Sequence, residues 1–279
     1  MAGNSPQTAL ITGASSGIGF EFAKLFAREG YSLVLVARGK KDLEKAAVEI
    51  RKNFVADKET RGNETKNKQK IIIIAKDLGK EGAAKAVFNE LRVKKVSVDF
   101  LINNAGLGLH GKFAETSLER ELEMIRVNCE AVVALTKLFL PQMLERKRGR
   151  VLNVASTAAF QPGPLMAVYY ASKAFVLSFS QALYEELRGT GVNVTAMCPG
   201  PTSTAFGRKA GVLNTGLFQG AMMAPEKVAR VGYDGMKRGE LVVVPGLRNK
   251  FSTRLVKMIP QKTLLRMVRR LQEERNKRQ

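Results

Sequence analysis

Seven short apolar runs, separated by helix-like stretches, constrain this chain more than any other feature. They are "TALIT" (8–12), "YSLVLVA" (31–37), "KIIIIA" (70–75), "VDFLINN" (98–104), "RVLNVAS" (150–156), "VNVTAMC" (192–198) and "ELVVVPG" (240–246). Their β-branched residues follow one another without alternating polar positions, the pattern of strands covered on both faces. Between them lie stretches with helical spacing: "GFEFAKLFAREG" (19–30), "KKDLEKAAVEIRKNF" (40–54), "KEGAAKAVFNELRV" (80–93), the long segment 118–147 and "YYASKAFVLSFSQALYEELRG" (169–189). Many of these close on Gly or Pro. The alternation runs to residue 246 without a linker. It predicts an α/β, doubly wound fold: a seven-stranded parallel sheet with helices on both faces. On this reading 1–247 form one domain, and 248–279 a basic amphipathic extension, either part of that domain or peripheral to it. The polar segment 55–69 reads as a mobile surface loop, and 200–224 as a loop that orders over a ligand.

The chain has one histidine, His110, and two cysteines, Cys129 and Cys198, far apart. A metal site or a Ser-His-Asp triad is therefore not expected, since neither has enough ligands or imidazoles. His110 reads as an exposed loop residue. No apolar run approaches the ~18 residues of a membrane span, and the first residues lack a secretory pattern, so a cytoplasmic location is expected. The 46 Lys and Arg exceed the 25 Asp and Glu by 21, which favours anionic partners.

Directly after the first run comes "TGASSGIG", Thr12 to Gly19, leading into a helix. Glycines at that place allow a tight turn and let backbone N–H groups at a helix start approach a pyrophosphate. Gly13, Ser15, Ser16, Gly17, Ile18 and Gly19 are thus candidate dinucleotide contacts. The second run ends in "VARGKK", with no acid for a ribose hydroxyl. Arg38, followed by Lys40 and Lys41, suits a 2′-phosphate, so NADP(H) is expected over NAD(H). Asp77 and Leu78 follow the third run, where an adenine edge would lie. Asn104, Ala105 and Gly106 end the fourth, at the crevice where open α/β sheets bind ligands, and Ser156 ends the fifth. In "AVYYASKAF" (167–175), Tyr169 precedes Lys173 by four residues and Tyr170 precedes it by three. Either tyrosine can share a helical turn with the lysine.

These residues resemble the short-chain dehydrogenases/reductases. The likeness covers 7 to 246 and rests on Thr12-Gly13-x-x-x-Gly17-x-Gly19, Asn103-Asn104-Ala105-Gly106, Asn128, Ser156, Tyr169-x-x-x-Lys173, and Pro199-Gly200 with Thr204. The resemblance implies a Rossmann-type fold and a nicotinamide-dependent oxidoreductase. It implies Tyr169, not Tyr170, as the acid/base, with Ser156, Lys173 and Asn128 as partners, Asn128 ordering a water that links Lys173 to solvent. Pro199, Gly200, Thr202 and Thr204 would border the cofactor, and Thr204 its carboxamide. Moving a phenol from about 10 to about 7 takes ~4 kcal/mol, which Lys173 together with an oxidised nicotinamide in a low-dielectric cleft is expected to supply.

Leu165, Met166, Phe206, Leu213, Leu217 and Phe218, with Met222 and Met223, predict an adaptable apolar pocket and hence a hydrophobic carbonyl substrate. The alternative is a non-catalytic NADP(H)-sensing module. After Pro260, Leu264, Leu265, Val268 and Leu271 recur at helical spacing among arginines that include Arg266 and Arg275. Such a helix either lies on an anionic membrane or packs on the domain or a second subunit. Nucleic acid is not an expected partner, for want of interleaved aromatics. A homo-oligomer is expected.

Overall fold

The computed structural model describes residues 6–55, 69–220 and 222–273; most of the segment read as a mobile loop, and Arg275, lie outside them. Seven strands, β1 (Thr8–Thr12), β2 (Ser32–Ala37), β3 (Ile71–Ala75), β4 (Phe100–Asn103), β5 (Gly149–Val154), β6 (Val192–Met197) and β7 (Val242–Val243), form one sheet. Their order is β3-β2-β1-β4-β5-β6-β7 and every pairing is parallel. This is the doubly wound arrangement that the runs predict. The last run pairs over two residues only, because Pro245 lacks the N–H a ladder needs and Gly246 turns the chain at φ 88°.

Successive strand residues feed opposite layers. Ala9 and Ile11 pack with Phe22 and Phe26 of helix α1 (Gly17–Arg28), Leu43 of α2 (Lys40–Ile50) and Tyr233 of α8 (Pro225–Arg238). Leu10, Val34 and Leu101 pack on the other face, against Val87 and Leu91 of α3 (Ala83–Val93) and Phe139 of α5 (Ala131–Glu145). Such double burial is what uninterrupted apolar strands require. The predicted long helix is α4 (Leu118–Ile125), a π turn (Arg126–Glu130) and α5. It is long and apolar enough to cross a bilayer by length and composition, but its buried residues Leu135, Phe139 and Met143 face the sheet. Helix α6 is Ala167–Glu186, and three helices that spacing alone did not give are α7 (Ala205–Ala210), α8 and α9 (Leu247–Leu255). The predicted amphipathic helix after Pro260 is α10 (Gln261–Gln272).

The chain leaves β1 toward β2 on one side and reaches β4 on the other. That reversal opens a crevice at the carboxyl ends of β1 and β4.

Candidate active site

At the end of β1 the chain turns at Gly13 (φ 66°) and enters α1 at Gly17 (φ 58°), angles that side chains rarely adopt. A methyl group on Gly13 would stand 2.8 Å from Asn104 Nδ2, and one on Gly19 would collide with the Gly13 carbonyl oxygen. Ser16 leads into α1 without a side-chain capping bond, and the first turn of α1 carries no acid. The free N–H groups of that turn therefore end in a positive dipole, flanked by Gly13, Ser15, Ser16, Gly17 and Ile18 on one wall of a cleft of about 740 Å³. A pyrophosphate fits this cradle, because glycine leaves the backbone uncovered.

The crevice floor is locked from within. Thr12 Oγ1 accepts from the N–H groups of Asn104 and Ala105, both at 2.9 Å, and Asn104 Nδ2 donates to the Thr12 carbonyl at 2.8 Å. Asn104 borders the cleft with Ala105 and Gly106, but its amide N–H group holds β1 to β4. Beneath, Asn103 donates to Asn153 Oδ1 (2.9 Å) and Asn153 to Ser180 (2.9 Å), a buried polar ladder that the sequence motif does not announce.

Ser156, Tyr169 and Lys173 converge where β5 and α6 meet this crevice. Ser156 caps a short 3-10 turn (Thr157–Phe160): its Oγ accepts from the Ala158 N–H at 3.1 Å, which fixes the hydroxyl at the cleft wall. Tyr169 and Lys173 are one helical turn apart on α6. Lys173 is buried, donates from Nζ to the Val154 carbonyl at 2.9 Å, and stands 5.9 Å from the centre of the Tyr169 ring. Burial lowers Lys173 to about 8, although the nearby thiols of Cys129 and Cys198 act the other way. Burial likewise pushes the Tyr169 phenol up to about 12, with a hydrogen bond from Ser156 offsetting part of the rise. The protein's own groups thus favour the protonated phenol, whereas the expected acidification counts an oxidised nicotinamide beside Lys173. Desolvation is the largest cause, and the neighbouring Tyr170 phenol adds to it.

Asn128 lies in the π turn, a helical irregularity frequent at functional positions. Its Oδ1 accepts from Leu107 N–H at 2.8 Å, while Nδ2 donates to the Leu107 carbonyl (3.0 Å) and to Ser172 Oγ (2.9 Å). These bonds make the side chain a brace between the loop after β4 and α6. A methyl group at Gly106 would lie 3.3 Å from Lys173 Nζ and 3.4 Å from Asn128 Oδ1, so glycine lets that loop close on the pair.

At the far end of the cleft Arg38 Nη1 meets Glu123 Oε1 at 2.9 Å, and both border the cleft with Asp42, Asp77 and Leu78. Lys40 and Lys41, expected beside a phosphate, are exposed and lie outside it; Lys40 faces Glu44 instead. Asp77 Oδ1 accepts from Gly79 N–H at 3.0 Å in a tight turn. Pro199, Gly200, Thr202 and Thr204 border the cleft, with Thr204 also capping α7 through Phe206 N–H (3.3 Å). Of the apolar residues expected in the pocket, Met166, Phe206, Leu217 and Phe218 line it. Leu165, Leu213, Met222 and Met223 do not, and Leu213 and Met222 are exposed.

Tyr170 turns away from Lys173. Its ring fills space that only Gly163 leaves free, and its hydroxyl accepts from Gln272 Nε2 at 2.7 Å. His110, expected to be exposed, is half-buried and bonds through Nε2 to the Gln272 carbonyl oxygen at 2.8 Å. Helix α10 buries Leu264 and Val268 against Ala158, Met166, Tyr170 and Val212. Asp42, Glu123, Val127 and Gln272 are among the cleft residues that the sequence did not announce. Only the apolar stripe of α10 hinted at the last.

Known proteins with similar sequences and folds accord with this geometry. Residues 7–212 match the model of the short chain dehydrogenase family. The very-long-chain 3-oxoacyl-CoA reductase of Phaeosphaeria nodorum is 37% identical over 204 residues, covering 72% of this chain but 56% of that protein. The ketoacyl reductase HetN of Nostoc sp. is 32% identical over 254 residues, covering 91% of this chain and 79% of that one. Among solved structures, a short-chain dehydrogenase from Sphingobium yanoikuyae in complex with NADPH aligns with a TM-score of 0.75 at 31% identity, covering 91% of this chain and 97% of the other.

Proposed function

The chain belongs to the short-chain dehydrogenase family, and from that premise we propose that it is an oxidoreductase interconverting a hydrophobic ketone and its alcohol, with NADP(H) preferred over NAD(H). One observation carries the reading: a phenol, a hydroxyl and an ammonium (Tyr169, Ser156, Lys173) border the same cleft as the glycine cradle. The bound nicotinamide would supply or accept the hydride. Tyr169, as a protonated phenol, gives the proton to the carbonyl oxygen during reduction. Ser156 holds that oxygen through a hydrogen bond, and Lys173 stabilises the phenolate left behind. Gly13, Ser15, Ser16, Gly17, Ile18 and Gly19 hold the pyrophosphate. Asp77, Leu78 and Ala105 flank the adenosine half, and Pro199, Gly200, Thr202 and Thr204 the nicotinamide half. Asn128 positions the Leu107 loop and α6.

Arg38 supports NADP(H), and the similar Sphingobium protein was solved with NADPH. Glu123 and Asp42 oppose it, since a 2′-phosphate has to displace a carboxylate from Arg38. Met166, Phe206, Leu217 and Phe218 support an apolar ketone, as do relatives named as ketoacyl and 3-oxoacyl-CoA reductases. The test is the nicotinamide absorbance with NADPH and with NADH against carbonyls graded from small and polar to long-chain. Turnover of apolar ketones with NADPH is the expected result. Binding of NADPH without turnover of any carbonyl would replace this reading by the non-catalytic sensor, and turnover of small polar carbonyls only would remove the apolar substrate.

We assign the extension to the same unit as the catalytic domain, because α10 packs into the pocket wall. The membrane-facing role then passes from α10 to α9. Leu247 (87% exposed), Phe251 (68%) and Leu255 (43%) recur every four residues along α9, and Met258 (80%) follows. From Leu241 to Gln272 there are eight Lys and Arg and no acid. An exposed apolar stripe ringed by cations complements an anionic bilayer, so peripheral attachment of a cytoplasmic protein is the localisation proposed. Exposed Leu118, Leu122 and Ile125 on α4, beside Phe175 on α6, support pairing with a second copy.

A further inference from the structure

Helix α10 lies beyond the residues matched to the family, yet its last turn closes the substrate end of the cleft. Three ties hold it there. Gln272 Nε2 donates to Tyr170 Oη, the Gln272 carbonyl oxygen meets His110 Nε2, and the Leu271 carbonyl oxygen accepts from Leu217 N–H at 3.0 Å. Gln272 is completely buried and borders the cleft beside Met166, Tyr170, Phe206 and Phe218. Among the described residues its Oε1 has no hydrogen-bond partner. A buried amide oxygen without a donor is costly, and Leu or Met would fill the same apolar wall without that cost. The hydroxyl of Tyr170 accepts from Gln272, which leaves its own proton to donate. An acceptor and a donor therefore stand side by side in the stretch of wall formed by Met166, Phe206 and Phe218.

We propose that Gln272 and Tyr170 form a polar subsite that reads a hydroxyl group on the substrate, remote from the reacting carbonyl. A hydroxyl is the small group that completes both: it donates to Gln272 Oε1 and accepts from the Tyr170 hydroxyl. Tyr169 and Tyr170, with ring centres 6.0 Å apart, set the spacing between the reacting oxygen and this second contact. The substrate class is then a hydroxy ketone with an apolar body. This rests on the carbonyl-reducing reading and adds a specificity-determining residue to it.

The experiment compares a decalone with its ring-hydroxylated derivatives, by kcat/KM with NADPH and by ligand-observed NMR binding of the matching decalols to the NADP⁺ complex. One hydroxylated isomer is expected to be favoured about tenfold to a hundredfold, since a site with buried hydrogen-bonding groups rejects the analogue that lacks the hydroxyl. Gln272→Leu and Tyr170→Phe, each checked for an intact thermal transition, should both erase that ratio. A ratio unchanged in both variants, or no favoured isomer in wild type, overturns the subsite. If no decalone is turned over while the hydroxylated decalols still bind better in wild type than in Gln272→Leu, the subsite stands and the carbonyl-reducing reading falls.

Discussion

Lys173 donates to the carbonyl oxygen of Val154 at 2.9 Å while its ammonium lies 5.9 Å from the centre of the Tyr169 ring. The lysine is thus anchored to the end of β5 beside the tyrosine, and in the proposed mechanism it stabilises the phenolate formed during reduction. With Lys173 near 8 and Tyr169 near 12, reduction should be constant at low pH and fall as pH rises through about 8, where Lys173 loses its proton. Tyr169 stays protonated across that range. A kcat/KM profile for reduction that is flat to pH 10 would refute this account.

The same burial has a stability consequence. The unfolded chain keeps the Lys173 proton up to about 10.5, whereas the folded chain releases it near 8. Between those values the unfolded state binds more protons, so stability rises with pH, and below 8 the full cost of a buried cation is present. Lys173→Met should therefore be more stable than wild type at pH 7, by about 1–3 kcal/mol, and this gain should shrink toward pH 10.5. Urea unfolding at both pH values measures it, with lost activity as the companion change.

Tyr169→Phe should lower kcat by about 10²–10⁴-fold and leave NADPH binding intact, because only the proton donor is removed. Tyr170→Phe should have a far smaller effect on kcat with simple ketones. It should instead lower stability by about 1 kcal/mol or more, as the buried Gln272 amide loses its partner. Similar kcat losses for the two variants would contradict the assignment.

Arg38 is shared between Glu123 and the cleft, and their pairing sets a competition. Glu123→Gln should tighten NADPH binding several-fold over NADH, and Arg38→Asp should weaken NADPH at least tenfold while sparing NADH. Fluorescence titration of both cofactors gives the ratio. An NADPH/NADH ratio that neither substitution moves would place the 2′-phosphate elsewhere.

Phe251→Glu combined with Met258→Glu breaks the exposed stripe of α9 without touching the cleft. Wild type should sediment with vesicles containing anionic phospholipid, less so at high salt, and not with purely zwitterionic ones. The double variant should stay in the supernatant. Equal sedimentation of both proteins would rule the stripe out as the contact; a change in oligomeric size by light scattering would assign it to a second copy.

Much of this site is legible in the chain because its signals are local. Gly13, Gly17 and Gly19 fall within one turn, and Tyr169 and Lys173 within another, so glycine spacing and helical periodicity are enough to put each group on its element. The neighbours they find are another matter. Spacing does not reveal that Asn128 sits in a π turn with its amide filled, nor that Lys40 and Lys41 point away from the cleft that Arg38 borders. Both depend on which side of a helix meets the rest of the molecule.

The uninterrupted apolar runs, by themselves, determined a parallel sheet buried on both faces, and with it the crevice at the strand ends. What the tertiary structure decided is the set of partners drawn from distant parts of the chain: Glu123 for Arg38 across 85 positions, Gln272 for Tyr170 across 102, and the Gln272 backbone for His110 across 162. Periodicity acts over a few residues and fixes which face an element buries. Hydrogen-bond partners are chosen only when the assembled fold brings those faces within about three ångströms of one another, and no local pattern encodes that meeting.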